Sequence, residues 1–274
     1  MKTLAWDGKP AWCPGCGDFA ILKALDAALA EAAVDRRRLV LVSGIGQAAK
    51  LPHYTAANVF NGLHGRAVPA ATGIKLANHE LEVVLTTGDG DMYGEGGNHF
   101  LHAIRRNIGV KIFVHNNQVY GLTKGQASPT SDLGFVTKVQ AQGVLSQPFN
   151  PLALAIVEDC SFVARSFAGD QEHLRAMMVA ALQHRDGLAL LDILQPCPTY
   201  NRVNTHKWYR DRVRPIPESH DPFDRAQALN LAFQWGDEIP IGVVYRSKRP
   251  SMESQLPVLQ RGPLVTQYVP APGA

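Results

Sequence analysis

The stretch from Glu82 to Asn117 constrains this chain more than any other. A β-branched run, Glu82 to Thr87, stops at Gly88-Asp89-Gly90-Asp91, and 25 residues then separate Gly90 from Asn116-Asn117. The run predicts a buried strand opening into a tight loop. The glycines on either side of Asp89 let the backbone turn and approach a ligand closely. A helix is expected from about Gly94 to Arg106, and a second strand, Val110 to His115, delivers Asn117 to the same sheet edge. Asp89, an Asn117 amide oxygen and a loop carbonyl then make an open oxygen shell for Mg²⁺. Such a shell leaves room for two phosphate oxygens, the usual manner of Mg²⁺ binding.

Gly-Asp-Gly followed by Asn-Asn in this setting is the pattern of thiamine-diphosphate enzymes. The tripeptide alone is a common turn. The strand before it, the helix after it and the strand leading to Asn-Asn make the pattern specific.

The remaining chain alternates strands and helices. Helices are expected at Phe19 to Ala33, through Ile74 to Asn78, at Pro151 to Glu158, Asp170 to His184 and from His220-Asp221-Pro222 to Phe233. Strands are expected at Leu39 to Val42, Ser161 to Arg165, Gly187 to Leu194 and Ile239 to Tyr245. Asp18 reads as the cap of the first helix. This alternation predicts an α/β fold, a doubly wound, mainly parallel sheet with its ligand at the strands' C-terminal ends. Residues 1–199 form the binding domain. Residues 200–274 form a C-terminal extension, extended and proline-rich towards its end, that packs on the domain or a partner.

A net charge of +3 is too small to point to nucleic acid. No run approaches the ~20 apolar residues that span a bilayer. The opening Met1 to Gly8 carries an acid and a glycine where a secretion signal needs an apolar run. A cytoplasmic chain follows, with its four cysteines as ligands or core residues rather than disulfides. Cys13-Pro14-Gly15-Cys16 alone is a zinc half-site, a redox pair or half of an iron–sulfur site. Arg36 to Arg38 reads as a solvated turn. The cations from Arg202 to Arg214 read as a solvated face, a contact between subunits or a patch steering an acidic partner.

Cys-Pro-Gly-Cys-Gly, Ser-Gly-Ile-Gly, His-Gly-Arg-Ala, Gly-Asp-Gly-Asp, His-Asn-Asn, Tyr-Gly-Leu-Thr-Lys-Gly-Gln-x-Ser-Pro-Thr and Cys-Pro-Thr-Tyr-Asn occur in order between residues 13 and 201. In this set the chain resembles the β subunit of a 2-oxoacid:ferredoxin oxidoreductase. The resemblance implies thiamine diphosphate, Mg²⁺ and a [4Fe–4S] cluster. It implies oxidation of a 2-oxoacid with coenzyme A to acyl-CoA and CO₂, two ferredoxins taking the electrons, and a reverse reaction as reductive carboxylation. It further implies an α subunit that carries the glutamate for the pyrimidine ring, in an αβ unit doubled by two-fold symmetry.

By position, Asp89, Asn117 and the Val119 carbonyl hold Mg²⁺. Ile45, Gly46, His64, Gly88, Gly90, Asp91, Gly121 and Leu122 line the diphosphate and thiazolium. His64, Arg66, Lys50 and Lys124 are the catalytic candidates. The two lysines match positions near the substrate in members of broad or 2-oxoglutarate specificity, and two cations suit a dicarboxylate. Cys13, Cys16 and Cys197 match three of the family's four cluster cysteines, and Gln47 stands at the remaining position. Glutamine is a poor ligand where thiolate is wanted. Cys160 is expected at the wrong end of its strand, roughly 17–20 Å from a cluster at the other end. The fourth corner falls to a neighbour such as His53, to a partner or water, or the site is degenerate. Two rival readings are a non-redox thiamine decarboxylase or synthase and a zinc-stapled binding module.

Overall fold

A computed structural model describes residues 8–267; the opening residues on which the secretion argument rests lie outside it. Strands β1 (Leu39–Ser43), β2 (Asn58–Asn61), β3 (Glu82–Gly88), β4 (Lys111–Asn116), β7 (Phe162–Phe167), β8 (Ala189–Leu194), β9 (Val213–Pro215) and β10 (Ile239–Arg246) form one sheet. Its order is β2-β1-β3-β4-β8-β7-β10-β9. The first six positions run parallel, β10 is antiparallel to β7, and β9 is parallel to β10. Between them β5 (Val119–Tyr120) and β6 (Gln126–Ala127) make a small antiparallel hairpin.

Helices cover both faces, because strand residues alternate between two cores. Val83 and Leu85 of β3, with Ile112 and Val114 of β4, face a core shared with α2 (Ala67–Ala77), α3 (Gly97–Arg106), α4 (Pro151–Val157) and α7 (Arg225–Phe233). Val84 and Phe113 face the opposite core, with Ile21, Leu25 and Leu29 of α1 (Gly17–Glu31) and Leu174 and Met178 of α5 (Gln171–Gln183). This is the doubly wound, mainly parallel α/β sheet that the alternation predicts.

Asn150, Asp170 and Asp224 cap α4, α5 and α7 with side-chain oxygens on backbone N–H groups. Asp18 is not a cap. Cys16 holds the cap position of α1, and Asp18 lies fully buried against a side chain of β4. Residues 200–267 add β9, β10, α6 (His206–Arg212) and α7 to the same domain. The proline-rich tail then lies along it, with short helical turns at Glu253–Gln255, Pro257–Arg261 and α8 (Leu264–Gln267). Among the described residues no helix is long and apolar enough to cross a membrane.

Candidate active site

Asp89 follows directly on β3 and is 1% exposed. Ser128 Oγ and Thr130 Oγ1, from the loop after β6, both bond its Oδ2, the latter at 2.7 Å. Oδ1 is therefore the oxygen left for a cation. Burial pushes the Asp89 carboxyl up to about 6, against the lowering effect of the two hydroxyls. A divalent cation offsets that cost, and the donor set suits a hard one. After Asp89 the chain makes a π-helical turn, Gly90–Glu95, before α3 begins. Such turns are frequent at functional sites.

Asn117 leaves the end of β4 with its Oδ1 accepting from Val119 N at 3.1 Å. The chain turns there at Gln118, held at φ +59°. A non-glycine residue keeps that conformation only when its surroundings impose it. Gln118 Nε2 donates to Thr130 O at 2.8 Å, and Tyr209 Oη donates to Gln118 Oε1 at 3.0 Å.

Asp91 joins three loops. Its carboxylate accepts from Ile45 N at 3.1 Å, Gly65 N at 2.8 Å and Thr87 Oγ1 at 2.6 Å. Gly44 has to be glycine, since a Cβ there would fall 2.1 Å from Asp91 Oδ2. His64 Nε2 lies 3.5 Å from Asp91 and 3.3 Å from Glu95, and its ring meets Tyr120 edge-on at 6.2 Å. Gly90 is required on other grounds than ligand approach. The space of its Cβ belongs to the Tyr120 ring, 2.3 Å away, while Gly88 has nothing closer than 3.9 Å. Lys50 is half-buried in the short helix Ala48–Tyr54, and Lys124 is exposed in the β5–β6 turn beside Gly121 and Leu122. Neither lysine has an ion pair among the described residues, and Arg66 is exposed at the start of α2.

The cysteines gather at the adjoining edge. Cys16 N bonds Cys13 O at 3.0 Å in a turn where Gly15 takes φ +78°. Gln195 Nε2 donates to Cys16 Sγ at 3.3 Å, and Cys16 Sγ lies 3.3 Å from Asp18 Oδ2. Asp18 in turn meets His115 Nδ1 at 2.6 Å, both side chains fully buried. Burial raises the thiols of Cys16 and Cys197, and a nearby cysteine raises each further, Cys197 acting on Cys16 and Cys13 on Cys197. A positively charged iron centre is the kind of neighbour that returns such thiols to thiolate.

Gln47 borders this group. Its carbonyl accepts from the Trp12 indole at 2.9 Å, its Cγ would lie 3.7 Å from a Cβ on Gly121, and its buried Oε1 has no partner. Three cysteines and an unsatisfied amide oxygen fit an incomplete cluster cradle. Among the described residues no group of three His, Cys, Asp or Glu side chains is arranged to hold a single metal ion, so the three cysteines by themselves close neither a zinc site nor a cluster. Cys160 is fully buried at the N-terminal end of β7, within 3.4 Å of Phe162 O. His53 is exposed in the Ala48–Tyr54 helix. The two edges meet where Val119 and Cys197 pack together with Phe135.

Ser128, Thr130, Tyr120, Glu95 and the Asp18–His115 pair did not stand out in the sequence as site residues. Ser128 and Thr130 carried a signal in the Ser-Pro-Thr motif, since hydroxyls at the end of a glycine-rich loop are natural partners for a buried carboxylate. Tyr120 and His115 lie within the sequence motifs but take partners far along the chain, and Glu95 and Asp18 carry no local signal of their pairing.

A sheet delivering such a carboxylate and amide to one edge defines a thiamine-diphosphate-binding domain. Residues 42–193 match the family described as thiamine pyrophosphate enzyme, C-terminal TPP binding domain, and residues 197–261 match that described as the C terminal of the pyruvate ferredoxin oxidoreductase beta subunit. Over 273 residues the chain is 44% identical to the 2-oxoacid:ferredoxin oxidoreductase subunit beta of Saccharolobus solfataricus, covering 95% of this chain and 89% of the relative. It is 47% identical over 200 residues to the 2-oxoglutarate oxidoreductase subunit KorB of Mycobacterium tuberculosis, covering 73% of this chain and 53% of that one. The 2-oxoglutarate:ferredoxin oxidoreductase of Magnetococcus marinus, solved with 2-oxoglutarate, coenzyme A and succinyl-CoA, superposes with a TM-score of 0.91 at 36% identity, covering 95% and 90% of the two chains. The chain belongs to the β subunits of the 2-oxoacid:ferredoxin oxidoreductases, one subunit of a multisubunit enzyme.

Proposed function

We propose that this subunit, with an α subunit, oxidises 2-oxoglutarate and coenzyme A to succinyl-CoA and CO₂ and passes two electrons singly to ferredoxin, reversibly. The observation that carries the redox reading is the small core shared by Val119, Phe135 and Cys197, which joins the Mg²⁺ edge to the cysteine edge. Asp89, Asn117 and the Val119 carbonyl would hold Mg²⁺ and, through it, the diphosphate. When bound, the cofactor would supply a nucleophilic carbon and a cationic ring able to take up the electron pair left by CO₂. The chain's own work is to hold the loops. Asp91 binds the amides of Ile45 and Gly65, and Tyr120 braces Gly90 and Gly94. Cys13, Cys16 and Cys197 would hold a [4Fe–4S] cluster whose fourth corner, where Gln47 stands in place of a cysteine, takes its ligand from a neighbour, the partner subunit or water.

The chain is half an active site, with the glutamate for the pyrimidine ring supplied by the α subunit. Its surface supports this: β2 is an edge strand exposing Val59 and Phe60, and Leu63 nearby is 76% exposed. Two unpaired lysines, Lys50 and Lys124, support a dicarboxylate substrate, as do the M. tuberculosis relative's name and the M. marinus ligands.

Iron and acid-labile sulfide per αβ unit, measured anaerobically with the EPR spectrum after dithionite, test the redox reading. About four irons and a reduced-cluster signal are expected; no iron would favour the non-redox reaction. For the substrate, Lys124→Ala should raise KM for 2-oxoglutarate about tenfold, the cost of one lost charge-assisted contact, and leave pyruvate unchanged. Equal loss with both acids would remove its role in specificity.

A further inference from the structure

Beneath the ends of β4, β8 and β7, on the face covered by α4 and α7, lies a cavity of about 360 Å³. Its floor is polar: Asn116, Asp192 and Arg165, one from each strand. Its walls carry Phe149, Phe233 and Trp235. Arg165 is 4% exposed, yet its Nε and Nη1 have no acceptor. Asp192 is its register neighbour on β8 but directs its carboxylate elsewhere. Tyr93 Oη donates to Asp192 Oδ2 at 2.8 Å, and Asn116 Nδ2 reaches both oxygens at 3.2 Å. The Trp235 ring lies 5.7 Å from Arg165 Cζ, and the Asp192 charge, though outside ion-pair distance, still acts on the guanidinium.

A buried guanidinium without acceptors is costly, and such groups call for a bound partner. The space far exceeds the ~30 Å³ share of one water and falls within the size of small-molecule pockets. The guanidinium edge matches two carboxylate oxygens. The aromatic walls suit an apolar body better than a water cluster. Asp192 on the same floor disfavours a second negative charge, and with it a phosphate dianion. We propose that this cavity is a binding site for a monocarboxylic acid with an apolar or aromatic body, anchored by Arg165 and divided from the thiamine cradle by Thr130, which lines the cavity and bonds Asp89.

The assembled enzyme, titrated calorimetrically with phenylacetate, tests this. Roughly ten heavy atoms at modest efficiency give an expected Kd of about 0.1 mM. Phenylacetamide, which keeps the shape without the charge, should bind about tenfold more weakly or worse, as should phenylacetate to Arg165→Met. Phe233→Ala, at an exposed wall position, should weaken binding several-fold while the enzyme assembles normally. Saturating 2-oxoglutarate should not displace phenylacetate. Five results would each overturn the proposal: no saturable binding, equal binding of acid and amide, tighter binding of phenyl phosphate, displacement by the 2-oxoacid, or unchanged affinity in Arg165→Met. Should Arg165→Met fail to assemble, the acid–amide comparison and Phe233→Ala decide alone.

Discussion

The two ends of the sheet treat buried polar groups in opposite ways. At the N-terminal end most of them close on one another, His79 Nδ1 just before β3 being the exception. Asn107, at φ +53°, accepts from Ser161 Oγ at 2.9 Å and Leu188 N at 3.0 Å and donates to Asp186 O at 2.8 Å and Pro250 O at 3.0 Å. Lys111 Nζ bonds His184 O, and His184 Nε2 lies 3.0 Å from Ser161 Oγ. At the C-terminal end bonding capacity is left over: Gln47 Oε1, His115 Nε2, Gln195 Oε1 and two nitrogens of Arg165 are buried without partners. Closed networks hold the fold and open ones await ligands, since an unmet buried polar group is a standing cost. A fold tolerates that cost where function needs the group.

Asp89→Asn should separate these roles most sharply. Cofactor affinity should fall by more than the ~10–100-fold that outer-shell changes cost. Thermal stability of the unloaded enzyme should hold or rise, because a charge penalised by burial has gone. Parallel loss of stability would place Asp89 among the fold-holding groups. The reverse is expected of Asn107→Ala: a stability loss of about 3–5 kcal/mol from stranded buried partners, with normal turnover per folded enzyme. Part of that loss is backbone strain, so Asn107→Gly should recover up to about 1 kcal/mol of it. Reduced turnover per folded molecule would break the division.

Ser128→Ala and Thr130→Val probe how the open end is poised. Each removes a hydroxyl that lowers the Asp89 carboxyl, so each should weaken Mg²⁺–thiamine-diphosphate binding by about 10–100-fold. Each should also move the pH of half-maximal binding upwards relative to the wild type. The cofactor's own protonation is common to both proteins and cancels in the difference. An unchanged midpoint in either variant would detach these hydroxyls from the carboxylate.

The sequence shows the framework more clearly than the contacts. The β3 run, its end at Asp89, the strand to Asn117 and the helices α1 and α5 all follow from hydrophobic period and turn residues. Strand β2 is illegible because all four of its residues are exposed, so no apolar alternation marks it. Asp18 reads as a cap because an acid at a helix start usually is one, and a histidine 97 positions away takes it instead. Gly90 reads as room for a ligand, yet Tyr120 fills that room. Arg165 reads as a strand end. Its open valence shows only once β8 places Asp192 beside it, with that carboxylate already engaged. Pairings across the fold carry no local pattern, and the open end of the sheet is built from them.

The smallest effect compares the two ends through pH. Burial raises Asp89 from 3.8 to about 6 in the unloaded fold, so its contribution to stability is present below pH 3.8 and is lost as pH rises through 6. Burial first, then the nearby Lys111 charge, lowers His184 from 6.5 to about 4; its contribution is full above pH 6.5 and is lost as pH falls through 4. Between pH 4 and 6 the two oppose each other. Removing the Asp89 contribution with Asp89→Asn should make the thermal midpoint of the unloaded enzyme fall more steeply on acidification than in the wild type. Removing the other with His184→Gln should make it fall less, or rise. Mg²⁺ and thiamine diphosphate favour the ionised Asp89, so loading the wild type should give the steeper profile of Asp89→Asn. Midpoint curves that run parallel across wild type and both variants would show that neither group's burial carries the linkage, and would leave the contrast between the two ends resting on hydrogen bonds alone.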